Sequence, residues 1–348
     1  MNRPENNDPL RELLSDAVSD IEPDDALGSI RERTRASSTT SRRPWLYGAG
    51  GAVIATAATI TAIALAGNLG NDDSADPGPA VSPDGRTSGT TDGPSDDGAD
   101  YVLPVYYVGD GPDGPRLFRE FHPKHAAGGA ELRLAVDEAV SGSPFDPDYR
   151  NPWPEGTAVG SASYDGDVIT VDLSTSGPSL RRRPAGMTAT EASFAVEQVI
   201  FTAQAAAGDG RRPVRLLVDG KQSDTVLGEP AAEPLSNDTV TEVLSLMSIT
   251  APREGVEVSG MFTATGVNNG FEAWVGWQLV DATGAVVKDG FGTAAGAAET
   301  NRLFPWRIEV DLAGVAPGRY TFRAYNDDPS GGAEGAGPAE DTRTIIVP

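Results

Sequence analysis

Residues 154–174 read PEGTAVGSASYDGDVITVDLS. Thr157 to Ser163 and Val168 to Leu173 are short runs rich in β-branched and small residues, and Asp165-Gly166-Asp167 between them has the chemistry of a tight turn, so the stretch reads as two strands joined by a hairpin. Upstream lies a long loop, Ser141 to Gly156, with Trp153 held between two prolines. Before it, Ala130 to Val140 reads as a helix with Leu132, Val136, Ala139 and Val140 on one face. Tyr101 to Val108 and the run near Arg116-Leu-Phe-Arg-Glu-Phe read as two further strands about a Gly/Pro/Asp turn. Downstream, Thr188 followed by Glu191 makes a capping box, and the helix it starts runs to about Ala207, where Gly208 ends it. Pro213 to Val218 is a last strand. The order β-β-α-β-β-α-β predicts an α/β domain with two helices packed on a mixed sheet.

From Leu246 onward every signal is β. Short strands are expected at Leu246–Thr250, Val256–Ser259, Phe262–Thr265, Phe271–Val280, Ala285–Val287, Phe304–Leu312, Arg319–Tyr325 and Thr342–Val347, with turns at Ala282-Thr283-Gly284 and Pro317-Gly318. A period of two sorts their faces. Phe271, Ala273, Val275, Trp277 and Leu279 share one side, as do Phe304, Trp306, Ile308 and Val310, and Tyr320, Phe322 and Ala324. Charged and polar residues such as Arg307, Glu309 and Arg323 take the other. Such a pattern describes a sandwich of about seven strands around a Trp-containing core.

The N-terminal third is of another kind. Pro44 to Asn71 contains no Asp, Glu, Lys or Arg, and Trp45 to Gly67 as a helix at about 1.5 Å per residue would reach roughly 34 Å, enough for a bilayer core of about 30 Å. Arg31, Arg33, Arg35, Arg42 and Arg43 precede it and Asp72, Asp73 and Asp76 follow it, which places the N-terminus in the cytoplasm. An uncleaved anchor is expected; a cleaved signal peptide is the competing reading, with an n-region longer than usual. Gly48, Ala52 and Thr56 form a small-residue ladder that allows a homo-oligomer. Residues 1–43 read as a mostly disordered cytoplasmic tail with a weak amphipathic run at Leu10 to Ile21. Residues 69–100, rich in Gly, Pro, Ser, Thr and Asp, read as a disordered acidic linker. The expected organisation is therefore tail 1–43, transmembrane helix 44–68, linker 69–100, α/β domain 101–222, linker 223–244 and β-sandwich 245–348.

With these residues in place the chain resembles known families. LPVYYV, the 154–174 stretch, the Thr/Glu-started helix and VRLLVDG are similar to the GerM-type (GerMN) domain of sporulation and spore-germination proteins, over about residues 101–221. The insert at Phe145 to Asn151 and the triplet Arg181-Arg182-Arg183 depart from that pattern. ITAPREGVEVSGMF, VDATGAVV and APGRYTFRAYNDDPSGG resemble the immunoglobulin-like domain of bacterial spore germination, which commonly follows a GerM-type domain. The resemblance implies an immunoglobulin-like fold for the second domain, and binding or assembly within the cell envelope. The excess of Arg over Lys resembles the proteins of high-GC Gram-positive bacteria and reads as genome composition.

Charge narrows the partners. The net charge is −24; residues 1–43 carry 7 basic and 9 acidic residues, and residues 72–348 carry 20 and 42. So acidic a surface disfavours nucleic acid. There is no Cys, which excludes disulfides, thiol catalysis and thiolate metal sites. His122 and His125, in His-Pro-Lys-His, have no obvious third metal ligand and read as a polar turn. No cofactor, metal site or catalytic set is expected. Arg181, Arg182 and Arg183 are the one dense basic spot in the exported part: either an anion-binding loop before a helix start or a solvated loop. Trp274 falls opposite Trp277 and, with Arg307, Arg323 and Tyr325, reads either as a binding surface or as a second packed layer; Trp153 is a similar candidate. The expected function is a non-catalytic, single-pass cell-membrane protein whose exported domains bind envelope proteins or wall polymer. A transmembrane signalling protein whose tail binds a cytoplasmic regulator, and a cell-wall hydrolase, are the alternatives.

Overall fold

The computed structural model describes residues 98–297, 301–327 and 337–348. The expected tail, membrane helix and nearly all of the acidic linker lie outside the described residues, and among those described no helix is long and apolar enough to cross a membrane.

The first domain starts with a long hairpin. β1 (Gly98–Gly111) and β2 (Gly114–Ala127) pair antiparallel in unbroken register and turn at Pro112 and Asp113. β1 thus begins inside the stretch read as linker, because β2 runs far enough to pair with Gly98. The hairpin is buried on both faces. Leu103, Val105, Tyr107 and Phe118 pack on α1 (Glu131–Ser141) and on Tyr149. Tyr106, Val108 and Leu117 meet Phe201 of α2 (Ala189–Ala207).

The hairpin stays apart from the remaining strands. β3 (Thr157–Tyr164), β4 (Ile169–Thr175), β5 (Val214–Val218) and β6 (Lys221–Gln222) make a second sheet in that order, with β4 and β5 parallel across α2. The strands therefore form two sheets where one mixed sheet was expected. The cause lies in α2, which buries Ala195, Val199 and Ile200 against the four-stranded sheet and Phe201 against the hairpin. A helix apolar on so many sides needs a cover on each. Its capping box forms as expected: Thr188 Oγ1 accepts the Glu191 N–H at 3.1 Å, and Glu191 Oε2 accepts the Thr188 N–H at 2.8 Å. Gly208 closes it at φ 69°.

The segment 223–244, read as a linker, is packed. It holds the short pair β7 (Thr225–Val226) and β8 (Glu229–Pro230) and the one-turn helix α3 (Val240–Val243), and it buries Val226, Leu227, Ala231, Val240, Val243 and Leu244.

The second domain is a sandwich. β9 (Met247–Ala251), β11 (Met261–Asn268) and β14 (Phe304–Asp311) form one sheet in the order β14-β11-β9. β10 (Val256–Glu257), β12 (Trp274–Asp281), β13 (Val286–Thr293), β15 (Gly318–Tyr325) and β16 (Glu340–Val347) form the other, in the order β10-β16-β15-β12-β13. Trp277, Trp306, Ile308, Val310, Phe322 and Ile345 fill the space between. The alternation holds for β12, β14 and β15, with two corrections. Phe271 and Ala273 are not core residues: Phe271–Ala273 is a 3₁₀ turn with Glu272 and Ala273 in the left-handed region, and Phe271 is exposed. And β13 runs on to Thr293, well past Val287.

Candidate functional site

The proposed surface residues part company in three dimensions. Trp153 is core: it is buried with Val136, Leu173 and Val199, because the prolines on either side turn the loop inward over the four-stranded sheet. The arginine triplet is mostly engaged. Arg181 Nη2 donates to the Val218 carbonyl at 2.7 Å, and Arg183 Nη2 to Glu229 Oε1 at 3.0 Å, so two of the three fasten their loop to β5 and β8. Arg182 points outward. The helix start beyond them already holds a carboxylate, that of Glu191, which weakens the case for an anion there.

Trp274, Tyr325 and Arg323 do come together, on the outer face of the five-stranded sheet. The Trp274 and Tyr325 rings meet edge to face at 5.4 Å, and the Arg323 guanidinium lies 5.0 Å from the Tyr325 ring centre. Arg323 also donates from Nε to Glu340 Oε2 at 2.8 Å and from Nη1 to Gln278 Oε1 at 3.1 Å. Arg307 is not part of this group. It projects from β14, in the other sheet, and bonds Thr263 Oγ1 at 3.0 Å and Glu309 Oε1 at 2.8 Å.

Two buried charge clusters had no counterpart in the sequence reading. In the first, the supposed turn His-Pro-Lys-His is part of β2, and the strand's alternation carries His122 inward. Its Nε2 lies 2.8 Å from Glu120 Oε2 and its Nδ1 3.0 Å from Glu138 Oε1, while Phe145 stacks on the ring at 4.0 Å. Burial alone would push the imidazole down, but hydrogen bonds to Glu120 and Glu138 and their charge raise it above its ordinary value. Glu138 is lowered, first by its bond to His122 and then, against its own burial, by Lys124 at 2.7 Å. Glu120 also accepts the N–H groups of Phe145 and Asp146, both at 2.9 Å. His125 pairs with Asp100 at 2.7 Å.

The second cluster joins the domains. Asp146 and Tyr149 come from the insert at 145–151; Asp341 and Arg343 come from β16. Arg343 Nη1 lies 2.6 Å from Asp146 Oδ2 and 2.9 Å from Asp341 Oδ1, and its Nη2 donates to the Ile249 carbonyl at 2.9 Å. Tyr149 donates to Asp341 Oδ1 at 2.6 Å, and the Ile249 N–H to Asp341 Oδ2 at 2.6 Å. Arg343, Asp146 and Asp341 are each under 5% exposed. One guanidinium faces two carboxylates, and burial, opposed by Arg343, pushes Asp146 up to about 7. Burial likewise raises Asp341. Also between the domains, Leu303 packs on Tyr106, Leu117, Val240 and Leu244. A cleft of about 20 Å³, the size of one water, remains there among Tyr106, Arg119, Ser248 and Leu303.

These architectures agree with known families. Residues 104–224 match the family described as sporulation and spore germination, and residues 246–333 match the immunoglobulin-like domain of bacterial spore germination. No curated protein matches the chain. Among solved structures, it is similar to a candidate lipoprotein from Clostridium perfringens (17% identity, 44% of this chain and 98% of that one, TM-score 0.27). It is also similar to the tandem GerMN domains of the sporulation protein GerM from Bacillus subtilis (14% identity, 62% of this chain and 63% of that one, TM-score 0.31). A third is CopC from Methylosinus trichosporium OB3b (18% identity, 29% of this chain and 92% of that one, TM-score 0.19). The chain carries a GerM-type domain followed by an immunoglobulin-like domain of the spore-germination kind.

Proposed function

We propose that a chain pairing these two domains works as a non-catalytic component of the cell envelope, anchored by its apolar stretch 44–68 and binding or assembling with envelope partners outside the membrane. The observation that carries this reading is the junction. Asp146, Asp341, Arg343 and Tyr149 are buried between the domains and bonded to one another. Buried charges of this kind fix geometry at a cost in desolvation, which is worthwhile where two modules must be presented in one fixed arrangement. The outer sheet face with Trp274, Tyr325 and Arg323 is then held in a set orientation to the hairpin domain.

The test is crosslinking of the full-length protein in intact cells, with a photoreactive residue placed at Gln278 on that face. Recovery of envelope proteins or wall material supports the reading. Recovery of neither, or release of soluble fragments from purified wall by the full-length protein, overturns it.

A further inference from the structure

The outer face of the five-stranded sheet bears an aromatic row that neither the core nor the junction uses. β12 pairs with β13 so that Gly276 stands opposite Phe291, and with β15 so that Gly276 stands opposite Tyr325. Val275 and Trp277 are buried inward, so Trp274, Gly276 and Gln278 face out. The Trp274 indole lies over Gly276: a Cβ there would stand 2.2 Å from Trp274 Cη2 and 2.6 Å from Tyr325 Cζ. Glycine at 276 thus lets a large ring settle on the backbone between two other rings. Phe291 at the end of the row is 72% exposed, the most exposed large apolar side chain among the described residues. Gly290 and Gly292 on the inward side of β13 leave room for Trp277 and Ile308, which allows the strand to seat Phe291 outward.

The next row across the same strands is polar. Asp289, Gln278 and Arg323 stand side by side in it, while Glu340 of β16, opposite Tyr325, ends the aromatic row. Arg323 is tied to Glu340 and to Gln278, so it is held in place and its charge is matched. Asp289 is exposed. Aromatic side chains on adjacent strands, about 4.8 Å apart from strand to strand, with the Tyr325 ring edge to face against Trp274, therefore run beside a parallel row of hydrogen-bonding groups.

We propose that this face binds a neutral polysaccharide. A pyranose ring has an apolar face of C–H bonds, which suits the negative face of an aromatic ring, and an edge of hydroxyls, which suits Gln278, Asp289 and Glu340. Strand spacing is comparable with the length of one sugar unit, so Phe291 and the Trp274 ring over Gly276 meet neighbouring units of one chain. The charge balance points away from other occupants. Residues 72–348 carry 42 acidic against 20 basic residues, and Asp289 and Glu340 border the row, so an anionic polymer or a second copy of this acidic chain is repelled. The proposal rests on the reading of the chain as a binding protein and names the ligand class for that face.

The experiment is a titration of the full-length protein in detergent with two neutral hexasaccharides, chitohexaose and cellohexaose, followed by tryptophan fluorescence and by calorimetry at low and high salt. Saturable binding is expected with at least one of them, unaffected by salt. Trp274→Ala and Phe291→Ser are each expected to weaken it about tenfold or more, as loss of an aromatic anchor does. Phe291→Ser changes an exposed residue, so its effect is not one of unfolding. Arg307→Ala, on the other sheet, is expected to leave binding unchanged. The proposal is overturned if neither hexasaccharide binds, if binding survives Phe291→Ser intact, or if Arg307→Ala weakens it equally. If the hexasaccharides fail while the crosslink at Gln278 recovers envelope proteins, the glycan is wrong and the binding reading stands. If both fail, both are wrong.

Discussion

His122 and Arg343 are both basic side chains buried among carboxylates, in opposite settings. The partners of His122 lie 2 and 16 residues away, within one hairpin and the helix that follows it. The interdomain partners of Arg343 lie 194 and 197 residues away. Imidazole can give up its proton when the surroundings turn against the charge; guanidinium cannot. So the first cluster adjusts by titrating, while the second adjusts through its carboxylates, of which Asp146 is the one poised to hold a proton. The insert carries both: Glu120 holds the backbone of Phe145 and Asp146, and Asp146 holds Arg343. Residues 145–151 thus tie the His122 cluster to the junction between the domains.

The sharpest way to break this comparison is Arg343→Ala. It leaves two buried carboxylates without their cation, and loss of one partner from a buried pair costs about 3–5 kcal/mol. Urea denaturation should show that loss, and hydrogen exchange should rise at Ile249 and Tyr149. A loss below about 1 kcal/mol would mean that Arg343 is dispensable to the junction.

A smaller effect concerns pH. Asp146 in the folded protein keeps its proton up to about 7, whereas an unfolded Asp releases it near 3.9. The folded state therefore binds more protons in between. This contribution is fully present below the unfolded value and is lost as pH rises through about 7. His122, also raised, acts in the same direction: its contribution is present below the ordinary imidazole value and is lost as pH rises through the folded one. Glu138 works the other way, present above the unfolded value and lost as pH falls through its lowered one. The urea midpoint should therefore decline as pH rises between about 4 and 7, where folded and unfolded Asp146 differ in protonation, with His122 carrying the decline on above the ordinary imidazole value. Asp146→Asn should flatten part of the decline and His122→Gln another part. A decline unchanged in Asp146→Asn would remove Asp146 from the account.

The smallest effect is expected at the sandwich surface. Phe291→Ser and Arg307→Ala should each change stability by no more than about 0.5 kcal/mol, measured by thermal unfolding. A larger loss at Phe291 would show that its ring supports the fold.

Much of this was legible because it is local. Thr188 and Glu191 meet three residues apart, and the hairpin of 157–175 closes on Asp165, whose Oδ1 accepts the N–H groups of Asp167 and Val168 at 2.9 and 2.8 Å. The inward rows Trp306, Ile308, Val310 and Tyr320, Phe322, Ala324 follow from a period of two. The same period, applied to GluAspThrArgThrIleIleVal at 340–347, aligns Asp341 and Arg343 with Ile345 and Val347, a signal that charge was going inside. In β2 it aligns Glu120 and His122 with Phe118. These signals went unused because a charged residue on an inward face has no meaning until its partner is known. Phe291 stands between Gly290 and Gly292, and glycines inside a strand weaken its sequence signal.

The sequence by itself determined most of the elements, their order and most of the apolar faces, since these depend on neighbours within a few residues and on the hydrogen-bond periods of helix and strand. Only the tertiary structure decided that Trp153 is core, that the arginine triplet is mostly spent on fastening its loop, that Arg307 lies apart from Trp274, and that the insert at 145–151 meets β16. Each of those depends on a contact made across tens to hundreds of residues, and such contacts are set by how the layers stack rather than by any spacing along the chain.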